Sequence, residues 1–207
     1  MQERNADPRD PDEWLHFAPS AERNWQVIAE AGANWFSRGQ RLLEVGSGTG
    51  QHAATIGAAY PGLHWQPSEL PAAVPMLREN CERFGLTAPV VLDADDWPTD
   101  LGAFDLVYTA NTLHIAAESS ALNLIRGAGS VLVAGGHLLV YGPFRYGGKF
   151  TTQSNADFDE WLRARDPRSG IRDFEHLDDV ARASGMLLVT DIPMPANNQL
   201  LVWRKLT

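Results

Sequence analysis

Cysteine and lysine are almost missing from this chain, and the shortage narrows what it can be. Cys81 stands alone, which excludes an intramolecular disulfide and a zinc site built on paired cysteines, and makes a buried thiol the default. The only lysines are Lys149 and Lys205, and 26 acidic residues against 17 basic ones leave a formal charge of −9. That balance disfavours non-specific attraction to a phosphate backbone or an anionic membrane. The arginines between 163 and 172 make no basic patch, because Asp157, Asp159, Glu160, Asp166 and Asp173 are interleaved with them. No apolar run approaches the roughly 18 residues that a membrane helix needs. The start, MQERNADPRDPDEW, has no apolar leader core, so the expectation is a cytoplasmic protein with neither nucleic acid nor membrane as partner. The six histidines, at 16, 52, 64, 114, 137 and 176, form no ligand pair at helical spacing. No carboxylate and asparagine set has magnesium spacing either, and no metal is expected.

What is present suits one globular domain: 207 residues, 44% of them hydrophobic. Residues 1–19 carry Pro8, Pro11 and Pro19 among charges, yet Trp14, Leu15 and Phe17 offer apolar anchors. They are read as an extension that folds over the body as a lid, with 20–207 as the domain proper. From Ser20, a candidate N-cap, Trp25, Ile28, Gly32 and Trp35 recur at helical spacing and predict a helix to about Arg38. Strand and helix then alternate. RLLEV, LHWQP, APVVLD, FDLVYTA and GGHLLVYG read as strands, and QHAATIGAAY, AAVPMLRENCERF (interrupted by Pro75) and SALNLIRGAGSVL as helices. Such alternation implies right-handed crossovers and a mainly parallel, doubly wound α/β sheet. The end breaks the pattern. MLLVTDIPM and QLLVWRK are separated only by Pro195, Ala196, Asn197 and Asn198, too few residues for a parallel crossover, so these two strands should pair antiparallel. A seven-stranded parallel sheet finished by an antiparallel C-terminal strand is the Rossmann-like outline of class I methyltransferases.

The stretch LLEVGSGTGQHAA (42–54) places a glycine turn between a strand and a helix. A dinucleotide fingerprint would need glycine at position 51, which is Gln; the glycines are Gly46, Gly48 and Gly50. No Lys or Arg occurs from Leu42 to Leu77, while Glu44 ends the strand before the turn. A carboxylate there repels a pyrophosphate and attracts an ammonium or sulfonium. S-adenosyl-L-methionine (SAM) carries both cations, plus a carboxylate that the turn amides of Gly46, Ser47, Gly48 and Gly50 can accept. Two further acids end the next strands. Glu69 can accept from both ribose hydroxyls, and Asp93 from the adenine amino group beside the Ala94 amide. Asn111, after the fourth strand, is read as a contact to the methionine end of the cofactor or as a residue that orders the loop.

These motifs carry a family resemblance. SAERN (20–24), LEVGSGTGQHAA (43–54), WQPSEL (65–70), NTLHI (111–115), YGPF (141–144), SNADFD (154–159), RARDPRSGIRD (163–173) and MPANN (194–198) resemble the methyltransferase-like 26 family of class I SAM-dependent methyltransferases, a family carried as a domain of unknown function. The resemblance covers about Ser20 to Lys205 and implies SAM as cofactor and S-adenosyl-L-homocysteine (SAH) as product. One position departs from it: the acid after WQPS is usually the shorter Asp, and here it is Glu69.

The acceptor should enter beyond the carboxyl ends of the strands. His114 is the candidate base there, with a helix-capping or packing histidine as the alternative. Tyr141, Asn155, Asp159, Arg172, Asn197 and Asn198 are candidate acceptor contacts, joined by Arg23 and Asn24 from the N-terminal helix and Trp14 as a pocket wall; the resemblance gathers these segments together. Each taken alone also fits a turn, cap or core role. Trp97 is a further aromatic candidate, as a pocket wall or an adenine shelf. The expected function is methyl transfer to an O, N or S atom of a small-molecule acceptor, aromatic ones included. Two alternatives stand beside it: a SAM- or SAH-binding module without transfer, and a protein or RNA methyltransferase, which the missing basic groove disfavours.

Overall fold

The computed structural model describes residues 6–207, and within them strand and helix alternate as the sequence predicts. Ten strands form: β1 Arg41–Val45, β2 His64–Glu69, β3 Val90–Val91, β4 Phe104–Ala110, β5 Leu132–Gly142, β6 Phe144–Tyr146, β7 Lys149–Phe150, β8 Arg172–Asp173, β9 Met186–Met194 and β10 Asn198–Lys205. Six helices accompany them: α1 Pro19–Gly32, α2 Gln51–Ala59, α3 Val74–Arg83, α4 Glu118–Val131, α5 Gln153–Arg165 and α6 Phe174–Ala183. Seven strands make one sheet in the order β3-β2-β1-β4-β5-β10-β9, and β7-β6-β8 make a second, small one. β10 runs antiparallel to both β5 and β9, while β1–β2, β2–β3 and β4–β5 are parallel. This is the α/β architecture expected, with its single reversed strand next to the edge.

The chain divides into two compact units, one ending at Asp93 and one spanning Ala94–Thr207. In the first, Leu42, Leu43, Ile28, Ile56 and Leu77 are fully buried. β1 is buried on both faces, from Leu42 to Val45, as a strand inside a parallel sheet requires. α1 ends at Gly32 rather than near Arg38, because Phe36 folds back on it. The Trp35 and Phe36 amides both donate to the Gly32 carbonyl, and a Cβ on Gly32 would meet the Phe36 ring at 2.4 Å. Its N-terminus is Pro19 after Ala18, not a Ser20 cap. Pro75 does not interrupt α3. It stands in the first turn, where a missing N–H costs nothing.

In the second unit Trp203, Tyr108, Leu106, Leu139 and Val140 form the core, and the Trp203 indole donates to Asp178 of α6 at 2.9 Å. The small sheet was not expected, although RYGGKF signals it. Gly147 and Gly148 both take positive φ, as a two-residue hairpin turn between β6 and β7 demands. Trp97 lies flat on α4, where a Cβ on Gly127 would meet its ring at 1.8 Å. Gly127→Ala should therefore destabilise the protein by roughly 1–3 kcal/mol through overpacking, although alanine is the better helix former. A lowered melting temperature with changed tryptophan fluorescence is expected, and an unchanged or raised one would refute the packing.

Candidate functional site

The first unit builds a glycine turn flanked by the carboxylates of Glu44 and Glu69. Gly46, Gly48 and Gly50 all have positive φ, a backbone that side chains resist. A Cβ on Gly48 would enter open space, with nothing within 4 Å, whereas one on Gly50 would press Leu77 Cδ1 at 3.0 Å. The turn is stitched to β2: the Ser47 amide donates to the Ser68 carbonyl at 2.9 Å, and the Ser68 amide donates to Ser47 Oγ at 3.1 Å. Glu69 reaches back so that its Oε1 accepts from the Gly48 amide at 3.3 Å and its Oε2 from the Leu70 amide. The extra methylene of Glu over Asp is taken up by this curl. Both oxygens keep lone pairs for hydroxyl donors. Asp93 follows β3 by two residues and is half-buried.

Glu44 is only 2% exposed. The Trp65 indole donates to its Oε2 at 2.9 Å, and His52 Nδ1 lies 3.8 Å from its Oε1. Burial lifts the carboxyl to about 7 against the hydrogen bonds of Trp65 and Ser47. Burial pushes the neighbouring His52 down to about 4, so the imidazole is neutral near pH 7 and does not offset the charge of Glu44 when that carboxyl ionises. Cys81 is a buried free thiol, its pKa raised to about 11 mainly by burial.

The N-terminal segment is strapped onto this unit. Trp14 is no exposed pocket wall: it stacks on Phe84 at a 4.0 Å centroid distance and donates to the Pro8 carbonyl at 3.0 Å. Asn80, fully buried, accepts from the Leu15 amide at 3.0 Å and donates to the Leu15 carbonyl at 3.1 Å and the Thr49 carbonyl at 3.0 Å. Neither Asn80 nor Gln51, whose Oε1 accepts from the Ala18 amide, was singled out in the sequence. Nothing in their immediate sequence, Gly50 and His52 around one and Glu79 and Cys81 around the other, signals such a role. Arg23 is exposed and Asn24 half-buried on α1.

In the second unit the predicted residues gather beyond β4 and β5. Ala94 opens the unit and is half-buried. Asn111 takes positive φ at the end of β4, which Asn tolerates better than most residues, and its amide donates to the Tyr141 carbonyl at 2.9 Å. His114 is buried, edge-on to Phe158 at 5.4 Å. Burial, with the Arg172 charge adding to it, lowers its pKa to about 4, so it is neutral near pH 7 and a weaker proton acceptor than a free imidazole. The Tyr141 hydroxyl is buried and makes no hydrogen bond of normal geometry among the described residues; burial raises its pKa to about 12, opposed by the nearby Asn198 side chain.

The other candidates hold the scaffold together. Arg172 donates to the carbonyls of Leu113 at 2.9 Å, of Arg168 at 2.9 Å and of Ala116. With the Gly170 amide on the His114 carbonyl and Ser169 Oγ on the Ile115 carbonyl, four consecutive carbonyls of the NTLHI loop and its next residue are held from one segment. Asp159 accepts from the Ile171 amide and pairs with Arg163, both at 2.6 Å. Asn155 does not cap α5; Thr152 does. Instead Asn155 donates to the Asn197 carbonyl at 3.1 Å, Asn197 to Ser154 Oγ at 3.0 Å, and Asn198 to the Pro195 carbonyl at 3.1 Å. Among the described residues no cluster of three or more His, Cys, Asp or Glu is arranged to hold a metal ion, and no helix is long and apolar enough to cross a membrane.

The family described as protein of unknown function, DUF938, matches residues 15–205. This chain belongs to the DUF938 family. Over 107 residues, half of this DUF938 chain, it is 29% identical to the S-adenosyl-L-methionine-dependent methyl transferase PigF of Serratia sp. (strain ATCC 39006), and the match spans 31% of PigF. Its fold is shared with an O-methyltransferase family protein from Burkholderia thailandensis, with a TM-score of 0.76 and 21% identity over 91% of this chain and 57% of that one. It is shared also with the mitomycin 7-O-methyltransferase MmcR, with a TM-score of 0.73 and 18% identity over 90% and 55% of the two chains. The chain thus spans about a third of PigF and somewhat over half of these neighbours. The fold is that of class I methyltransferases.

Two outcomes test the DUF938 loop. Arg172→Lys keeps the charge but not the fork that reaches separate carbonyls, and should cost on the order of 2 kcal/mol, read as a lower urea midpoint. His114 titrates at about 4 in the fold and near 6.5 unfolded, so its stabilising contribution is complete above pH 6.5 and is lost as pH falls towards 4. That loss is on the order of 3 kcal/mol. The urea midpoint of His114→Leu should fall less than that of the wild type between pH 6.5 and 4; equal slopes would place the burial penalty elsewhere.

Proposed function

We propose that this protein is a SAM-dependent methyltransferase acting on a small-molecule acceptor, and that within DUF938 it is a methyltransferase-like 26 protein of the cytoplasm. The observation that carries the reading is the glycine turn with Glu69 folded onto its Gly48 amide and open space above Gly48. Similarity to PigF, whose structure with SAH shares this fold at a TM-score of 0.74 and 21% identity, supports it. So does the acidic balance of the chain, which disfavours a polyanionic substrate.

In this reading the first unit holds the cofactor. Gly46, Ser47, Gly48 and Gly50 let the backbone approach it, Glu69 receives the ribose hydroxyls, and Asp93 receives the adenine amino group. Glu44, hydrogen-bonded and buried, sets the charge next to the turn; ionised, it favours a cation. When bound, the cofactor supplies an electrophilic methyl on a sulfonium, so alignment and exclusion of water can provide much of the rate. In the second unit neutral His114 takes the proton of a hydroxyl acceptor, whereas an amine or thiolate needs no base. Tyr141 keeps its proton at neutral pH and donates from its hydroxyl to the acceptor. Arg172, Asp159, Asn155 and Asn197 act through the loop and hairpin that they hold. The N-terminal segment serves as a cover of the first unit.

The test is a thermal-shift titration with SAM, SAH and NAD. Ligand at a hundred times its dissociation constant should stabilise the protein by roughly 2.7 kcal/mol, or about 5–10 °C. A shift with SAM and SAH but not NAD, lost in Glu69→Ala and Asp93→Ala, is expected. A shift with NAD alone, or wild-type SAM binding in both variants, would overturn the reading.

A further inference from the structure

Gln51, the first residue of α2, is 1% exposed, and its terminal amide is only half used. Oε1 accepts from the Ala18 amide of the N-terminal strap and from Thr49 Oγ1 of the glycine turn at 3.0 Å. The Ala18 main-chain N–H can only donate, so the oxygen's position is fixed and the amide cannot be flipped. Nε2 then stands buried with no acceptor among the described residues. A buried NH₂ without an acceptor is costly, and a native fold retains one where something else supplies the oxygen.

That donor sits at the N-terminus of a nine-residue helix, where the first-turn amides have no intrahelical partner and the dipole favours a negative group. The group that belongs there carries no phosphate charge to balance, since Leu42 to Leu77 holds no Lys or Arg. A single carboxylate suits one primary amide plus helix amides.

We propose that Gln51 binds the carboxylate of the cofactor's methionine part through Nε2, while its oxygen holds the N-terminal strap at Ala18. The proposal rests on the SAM reading above and adds a residue and a coupling to it. Because one amide plane serves both contacts, a bound carboxylate fixes the Gln51 rotamer and with it the strap. Asn80 reinforces the link, bridging Leu15 of the strap to the Thr49 carbonyl of the turn.

The test compares SAM with decarboxylated SAM by calorimetry. Gln51→Glu keeps an oxygen for Ala18 and Thr49 but turns an acceptor towards the carboxylate. It should weaken SAM at least tenfold and leave decarboxylated SAM within about twofold of the wild type. Equal losses for both ligands, or none, in a cooperatively folding variant would overturn the proposal. Should Gln51→Glu not fold, Gln51→Met applies the same criterion: its preference for SAM over the decarboxylated form must shrink, and an unchanged preference refutes the role. In the wild type, hydrogen exchange at Ala18 should slow with SAM and not with decarboxylated SAM. Binding of neither ligand by the wild type overturns the cofactor reading itself, whereas SAM binding without discrimination at Gln51 overturns only this inference.

Discussion

Residues 46 to 50 must carry the chain from the end of β1 into α2 in five residues, with positive φ at every second one. That constraint organises the first unit. Within the turn the Gly50 amide donates to the Ser47 carbonyl, while the Ser47 and Gly48 amides need partners from outside it. Ser68 and Glu69, at the end of β2, supply them. Asn80 and Gln51 then take the turn's Thr49 groups from the other elements. The strap, α2, α3 and β2 therefore meet at one short stretch of backbone, and the side chains that connect them are amides, hydroxyls and the Glu69 carboxylate.

The second unit solves a similar problem at the end of β4. The loop 111–116 leaves the strand through a left-handed Asn111 and presents its carbonyls to the segment 168–172, which covers them with one guanidinium, one hydroxyl and one amide. Gly170 permits the close approach: a Cβ there would meet the Arg163 guanidinium at 2.5 Å. The polar motifs of this unit are thus largely bonded to one another. His114 and the Tyr141 hydroxyl are different. Their polar atoms are buried at the strand ends while their charged states are suppressed, which leaves a neutral acceptor and a protonated donor.

Much of this was legible before any coordinates. Alternating strand and helix patterns, a linker of four residues before QLLVWRK, and glycines at 46, 48 and 50 dictate a parallel sheet with a reversed strand and a glycine turn between strand and helix, because each rests on local geometry: crossover length, hairpin reach and the steric demand of positive φ. The hairpin in RYGGKF was equally local. It was passed over because its flanking strands are too short to show a period.

What only the tertiary structure decided is how polar side chains are spent. Arg172 reads as an acceptor contact in the sequence and clamps a loop 56 to 59 residues earlier in the chain; Trp14 reads as a pocket wall and packs on Phe84; Gln51 reads only as the residue that breaks the dinucleotide fingerprint and holds an unspent donor. A hydrogen bond between distant segments depends on where the backbone brings them, and no spacing along the chain encodes that. The sequence by itself determined the architecture, the turn and the acids at the strand ends, since these follow from neighbours in the chain. Tertiary packing decided which of the polar groups are already paired within the fold, since burial and pairing are set by residues far away in sequence.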